Sequence, residues 1–191
     1  MTPLGLAAGF AVGLLAIVVL FIALATYNAV VALQQRIDKA WANIDVALKQ
    51  RWDLLPNLVE AVRDLMTWER ELVTEVTRLR AAYSPAAPVA EQAATSDATS
   101  SAVRNVFAVI EAYPSLRSDR NVLELQSEIE RLENLIADRR ELYNDQVYRH
   151  NTRIGQFPAV ILAPLFGWRP RAFFAAQPAA TARPDATLAE G

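Results

Sequence analysis

Cysteine is absent from this 191-residue chain, and histidine occurs once, at position 150. Disulfides and thiol-linked lipids are thereby excluded, and so is a zinc-type site, which needs several nitrogen or sulfur ligands. Lysine occurs only at positions 39 and 49; the other basic residues are arginine. Acidic and basic residues nearly cancel, 21 against 19, so no basic excess is available to hold a nucleic-acid backbone. Phosphate-cradling glycine loops are missing, as is any Glu-x-x-His pair of the kind that builds a di-iron centre in a helical bundle. Glu60, Glu128, Glu130, Glu133, Glu141 and Asp145 stand at helical spacing among arginines such as Arg131, Arg139 and Arg140. They read as solvated ion pairs with those neighbours. No catalytic, cofactor or metal set can be assembled, so a non-enzymatic role is expected, with His150 at the surface or its boundary.

Charge is missing in one more place: no Asp, Glu, Lys or Arg precedes Arg36. Leu4 to Ala25 is an apolar run interrupted only by glycines. At ~1.5 Å per residue such a helix is ~33 Å long, enough for the ~30 Å hydrocarbon core of a bilayer. Residues 1–26 are therefore expected to be a single transmembrane anchor. A cleaved signal peptide is the competing reading, since Ala23-Leu24-Ala25 has the small-x-small form of a cleavage site. Met1-Thr2-Pro3 offers no basic lead, however, and the run exceeds the ~7–15 residues usual for a signal core. Arg36, Lys39, Lys49 and Arg51 follow the run with no basic residue before it, which by the positive-inside rule puts the C-terminal domain in the cytoplasm of a single-pass protein of the inner (plasma) membrane. Gly5, Gly9 and Gly13 recur every four residues, so they share one helix face, where a second helix could approach closely. Glycine is also simply common in membrane helices.

Beyond the anchor the pattern is helical. Leu33, Ile37, Trp41, Ile44, Leu48, Trp52, Leu55, Val59, Val62 and Met66 are separated by steps of three and four, and Leu33, Ile44, Leu55 and Met66 recur every eleven residues. An eleven-residue repeat averages ~3.67 residues per turn, which suits a nearly straight helix packed along its length. Leu72, Val76, Leu79 and Tyr83 extend the stripe, so one helix is expected over residues 27–83. Pro56 lies inside it and should kink it, since its ring meets the carbonyl of Trp52.

Residues 84–100, rich in Ala, Ser, Thr and Pro, are expected to be a mobile linker that buries no core. A second helix should run from about Ser101 to Pro114, with Val103, Val106, Phe107, Ile110 and Tyr113 on one face. A third should begin at Ser118 or Asp119, either of which could cap it, and reach about Phe157. Its Leu125, Ile136 and Val147 repeat the eleven-residue spacing. The fold class expected is all-α: an N-terminal transmembrane helix followed by an elongated antiparallel three-helix bundle with long kinked helices, over residues 27–174.

Two groups of residues stand out within that frame. Asp38, Asp45, Asn57, Asn144 and Asn151 lie near the apolar stripes, where they could fix register between helices or simply face water. The stretch 157–174 is apolar but broken by Pro158, Pro164, Gly167 and Pro170. Its Phe166, Trp168, Phe173 and Phe174 form either a lid on the bundle end or a patch at the lipid interface, beside Arg169 and Arg171. Residues 175–191 are expected to be disordered.

Residues 27–62, which include Asp45 and the run Leu55-Pro56-Asn57-Leu58-Val59, resemble the LemA family. So do residues 111–158, with Tyr113-Pro114, Tyr143-Asn144 and Phe157-Pro158, and the ending FGWRPRAFF at 166–174. Trp52, the sequence after Val62 and the weakly charged linker depart from the family pattern. The resemblance implies a bacterial or archaeal single-pass membrane protein with a long-helix domain, no established enzymatic activity and no cofactor. Some members serve magnetosome formation and others are linked to membrane proteases. The expected function is a homo-oligomeric scaffold that organises or remodels a membrane patch; the alternative is an adaptor recruiting a membrane protease or a stress-signalling partner.

Overall fold

The computed structural model describes residues 3–63 and 70–175. Among these residues all regular structure is helical: α1 (Pro3–Arg63), α2 (Arg70–Ala82), α3 (Val89–Ala112), α4 (Pro114–Arg117), α5 (Arg120–Gly155) and α6 (Ala159–Phe166). Of the tail expected to be disordered, residues 175–191, all but Ala175 lie outside the described residues.

The two long helices, α1 and α5, form the spine. Arg51 meets Glu133, the Trp41 ring packs at a tilt against Tyr143, and Val30 shares a buried cluster with Ile154. Each step down α1 between these points is matched by an equal step up α5, ten residues and then eleven. That is the signature of an antiparallel pair in constant register. The eleven-residue repeat is the physical reason, because stripes of equal pitch stay in contact over many turns. Ile37, Ile44, Leu48 and Leu55 from α1 and Ile129, Ile136 and Val147 from α5 are buried along this seam. Asp119 caps α5, its carboxylate accepting from the backbone N–H groups of Asn121 at 2.8 Å and Val122 at 3.1 Å. α1 runs unbroken through Pro56.

The single helix expected over residues 27–83 is instead two. Had the chain continued straight from Arg63, Tyr83 would stand roughly 45 Å from Trp52. Their rings are 5.3 Å apart, and the Tyr83 hydroxyl donates to Asp45 at 3.0 Å. α2 therefore lies back along α1 and is not its straight continuation. Its Val76 and Leu79 keep the apolar phase of the stripe, which is why the sequence pattern does not reveal the reversal.

The expected mobile linker is also corrected. From Val89 it is the first half of α3, with Gln92, Ala93, Ser96 and Thr99 buried. The Gln92 side-chain amide donates to the carbonyls of Pro85 and Ala87 at 3.1 and 2.9 Å, tying down the turn before the helix. Gln92, Ser96, Thr99, Val103, Val106 and Ile110 form a continuous inward stripe with steps of four and three. Its first half consists of small and polar residues, which bury by letting the helix come close rather than by filling space. With α2 and α3 folded as a hairpin on α1 and α5, the far half of the bundle has four helices, up, down, up and down.

Candidate functional site where the exposed apolar helix enters the bundle

The sequence directs attention to the end of the spine where α1 leaves the bundle. From Gly9 to Leu24, α1 is exposed apart from a partly covered Ala23. It is long and apolar enough to cross a membrane by length and composition, and its most apolar stretch is only 6% buried. Around Gly9 and Gly13 nothing lies within 4 Å of where a side chain would begin, so this face is open. The surroundings of Gly5 lie outside the described residues.

Residues 157–174 divide into two parts of different character. The first is α6, which lies beside the start of the exposed region. Ala159 and Trp168 are buried with Val30 and Ile154, and Leu162 and Ala163 pack against them. Tyr27, Phe166 and Trp168 form an aromatic cluster with ring centroids 4.9, 6.0 and 5.2 Å apart. Gly167 ends α6 in the left-handed region at φ 66°, the conformation glycine adopts without steric cost, and the Trp168 N–H closes onto the Ala163 carbonyl at 2.9 Å.

The second part, Arg169–Phe174, is an extended strap lying along α5. Asn144 and Asn151 hold it, each by two bonds to one backbone residue. The Arg171 N–H donates to Asn151 Oδ1 at 2.8 Å, and Asn151 Nδ2 donates to the Arg171 carbonyl at 2.9 Å. Phe174 and Asn144 repeat this arrangement at 2.8 and 3.3 Å. The spacing fits: seven helical residues rise ~10.5 Å, and three extended residues cover ~10 Å. Each asparagine thus offers a donor and an acceptor as a neighbouring β-strand would. The Tyr143 hydroxyl adds a bond to the Ala172 carbonyl at 2.9 Å. Phe174 is wholly buried against Trp41, with the Arg140 guanidinium over its ring. Burial raises the Tyr143 hydroxyl pKa above its ordinary value.

The polar residues singled out in the sequence thus have separate tasks. Asn144 and Asn151 do not set register between helices; they clasp the strap. Asp45 joins α1 to Tyr83, and Asp38 faces Arg171 at 3.5 Å. Asn57 is exposed. Phe174 is core, whereas Phe166 and Phe173 remain exposed.

Two buried ionisable groups were missed. Arg51 is completely buried and donates to Glu133 at 2.8 Å, Ser100 Oγ at 3.0 Å and Ser96 Oγ at 3.0 Å. The Ser100 hydroxyl donates to the other Glu133 oxygen at 2.6 Å. This knot joins α1, α3 and α5, so Glu133 is not paired with its helix neighbours as expected, whereas Glu128 is, to Arg131. Beside the knot is a polar cleft of about 300 Å³ between α3 and α5, spanned by Arg140 and Asp97 at 2.8 Å. His150 is buried, not at the surface: it continues the inward stripe of Tyr143, Val147 and Ile154. Its Nδ1 lies 3.3 Å from Asn151 Oδ1.

Together these elements define an all-helical bundle, locked by a C-terminal strap and carried on one long apolar helix. Residues 40–187 match the LemA family, well over half of the chain, and the protein belongs to that family. The chain matches no curated protein. The family match begins inside α1 and does not include its exposed apolar segment.

Proposed function

We propose that this LemA family protein is a membrane-anchored, non-enzymatic helical scaffold that self-associates and organises or remodels a patch of bacterial inner membrane. One observation carries the reading: an uncharged, solvent-exposed helical segment passes without a break into the spine of a bundle. A flexible tether would let the domain tumble freely. A continuous helix transmits the orientation of the anchor to the bundle. The open face at Gly9 and Gly13 supports lateral contact between anchors, because close backbone approach is the main source of helix association in lipid. Basic residues confined to the bundle side support a cytoplasmic C-terminal domain.

The protein should resist carbonate extraction from membranes, and crosslinking in native membranes should give multimers of the chain alone. Gly9→Leu should reduce those multimers while leaving the protein in the membrane. Release by carbonate would end the anchor reading. Recovery of a monomer bound to one stoichiometric partner would instead favour an adaptor for a membrane protease or signalling protein.

A further inference from the structure

We propose that α6 is itself seated in the bilayer, dipping beside α1 into the acyl region as a second, non-spanning point of lipid contact. This rests on the anchor reading of α1 and goes beyond it.

The helix carries no polar side chain, its sequence being Ala-Val-Ile-Leu-Ala-Pro-Leu-Phe. One face packs on Val30 and Ile154, and the other is bare. Phe157, Ile161 and Leu165 are 77, 60 and 76% exposed, and Val160 and Phe166 are exposed as well. This bare face is continuous with the anchor. An apolar recess of about 200 Å³ lies between the two helices, lined by Val19, Ile22 and Ala23 of α1 and by Phe157, Ile161 and Leu162. Those α1 residues lie within the apolar run that ends at Ala25. At ~1.5 Å per residue, Val19 is ~9 Å inside that boundary, which matches the ~5–10 Å immersion of interfacial helices.

Aromatic and charged residues fall where such a placement requires. Tyr27, Phe166 and Trp168 cluster at the boundary, the level at which amphipathic aromatic rings sit in membrane proteins. Arg169 follows immediately on the bundle side and is exposed, whereas Arg171 is turned further up the bundle, to Asp38. At the deep end of α6 several backbone groups leave no donor open to lipid. Pro158 has no N–H to satisfy, the Val160 N–H bonds to the Gln156 carbonyl at 2.9 Å, and the Ile161 N–H bonds to the Pro158 carbonyl at 3.2 Å.

Because the chain has no native cysteine, single nitroxide labels can be placed on the full-length protein in phosphatidylcholine–phosphatidylglycerol vesicles. Leu165→Cys and Ile161→Cys probe α6, Val18→Cys probes the anchor, and Leu123→Cys probes the far end of the bundle. All four positions are exposed. Collision with oxygen reports lipid and collision with a soluble nickel chelate reports water. The oxygen-to-nickel ratio at Ile161, which lines the recess with Val19, should approach that at Val18 and exceed that at Leu123 several-fold, and the ratio at Leu165, nearer the boundary, should lie between those at Ile161 and Leu123. A water-like Ile161 beside a lipid-like Val18 overturns the proposal and leaves the anchor standing. A label shielded from both reagents also overturns it, because protein then covers α6. A water-like Val18 removes the anchor and the proposal together.

Discussion

The spine of α1 and α5 is covered in two different ways along its length. Far from the exposed apolar segment of α1, the α2–α3 hairpin covers it, and a buried arginine knots three helices together. Near that segment, six residues of extended chain do the same work through the side-chain amides of Asn144 and Asn151. A helix satisfies its own backbone, so the hairpin needs little more than a close-fitting face. An extended strap has no internal bonds, and every buried N–H and C=O must find a partner outside it. This is why polar residues at the far end concentrate in one charged knot, while near the apolar segment they are spaced along α5 at the pitch of the strap. The two halves should therefore fail separately.

The largest effect should come from the knot. Glu133 is 26% exposed whereas Arg51 is fully buried, so Glu133→Ala leaves a buried cation without its anion. Loss of one partner of a buried pair costs ~3–5 kcal/mol, and partial solvent access to Glu133 places the expected loss near ~3 kcal/mol. Urea unfolding measures it, and hydrogen exchange at residues 171–174 should stay protected under native conditions. Arg51→Met should cost less, because an apolar side chain of similar length removes the charge along with the pairing. Equal losses for the two variants would mean that the knot acts through packing and not through charge.

Loosening the strap should cost less. Asn144→Ala or Asn151→Ala each removes two hydrogen bonds, a loss of ~1–2 kcal/mol at net values near ~1 kcal/mol per bond. The expected signature is faster exchange at the Arg171 and Phe174 amides with the exchange of α3 unchanged. If α3 loosens equally, the bundle is one cooperative unit and the comparison between its halves fails. Gly167→Ala acts at the start of the same segment. It meets no steric obstruction, only the left-handed backbone at φ 66°, so it should cost ~1 kcal/mol.

The spine could be read in the sequence because large apolar residues at eleven-residue spacing mark both of its helices, and Asp119 announces the start of α5. What escaped did so for identifiable reasons. The stripe through Val76 and Leu79 stays in phase across the chain reversal, so periodicity alone cannot tell a continued helix from one folded back. Gln92, Ser96 and Thr99 look like linker residues by composition; their steps of four and three, continued by Val103, Val106 and Ile110, were the overlooked signal. Arg51 and His150 occupy inward positions of apolar stripes but were passed over because they are polar. Asn144 and Asn151 were recognised by their spacing, yet one sequence cannot show that the matching backbone lies twenty to thirty residues downstream and not on another helix.

The smallest predicted effect sharpens the comparison through pH. Tyr83 ties α2 to α1 at the far end, and burial, followed by its hydrogen bond to Asp45, pushes its hydroxyl pKa up to about 12. An unfolded tyrosine ionises near ~10. Between these values the unfolded chain releases a proton that the folded chain keeps, so the unfolded state binds fewer protons and stability falls as pH rises. Below ~10 both states are protonated and the contribution is fully present. Tyr83→Phe removes this linkage. The stability difference between the native and variant proteins should therefore be constant from pH 7 to 9 and shrink from pH 10 towards 12, as read from denaturant midpoints. Loosening should begin in α2, with the Asn-clasped strap unaffected at the same pH. A constant difference across the whole range would mean that the Tyr83–Asp45 bond does not hold α2 against α1.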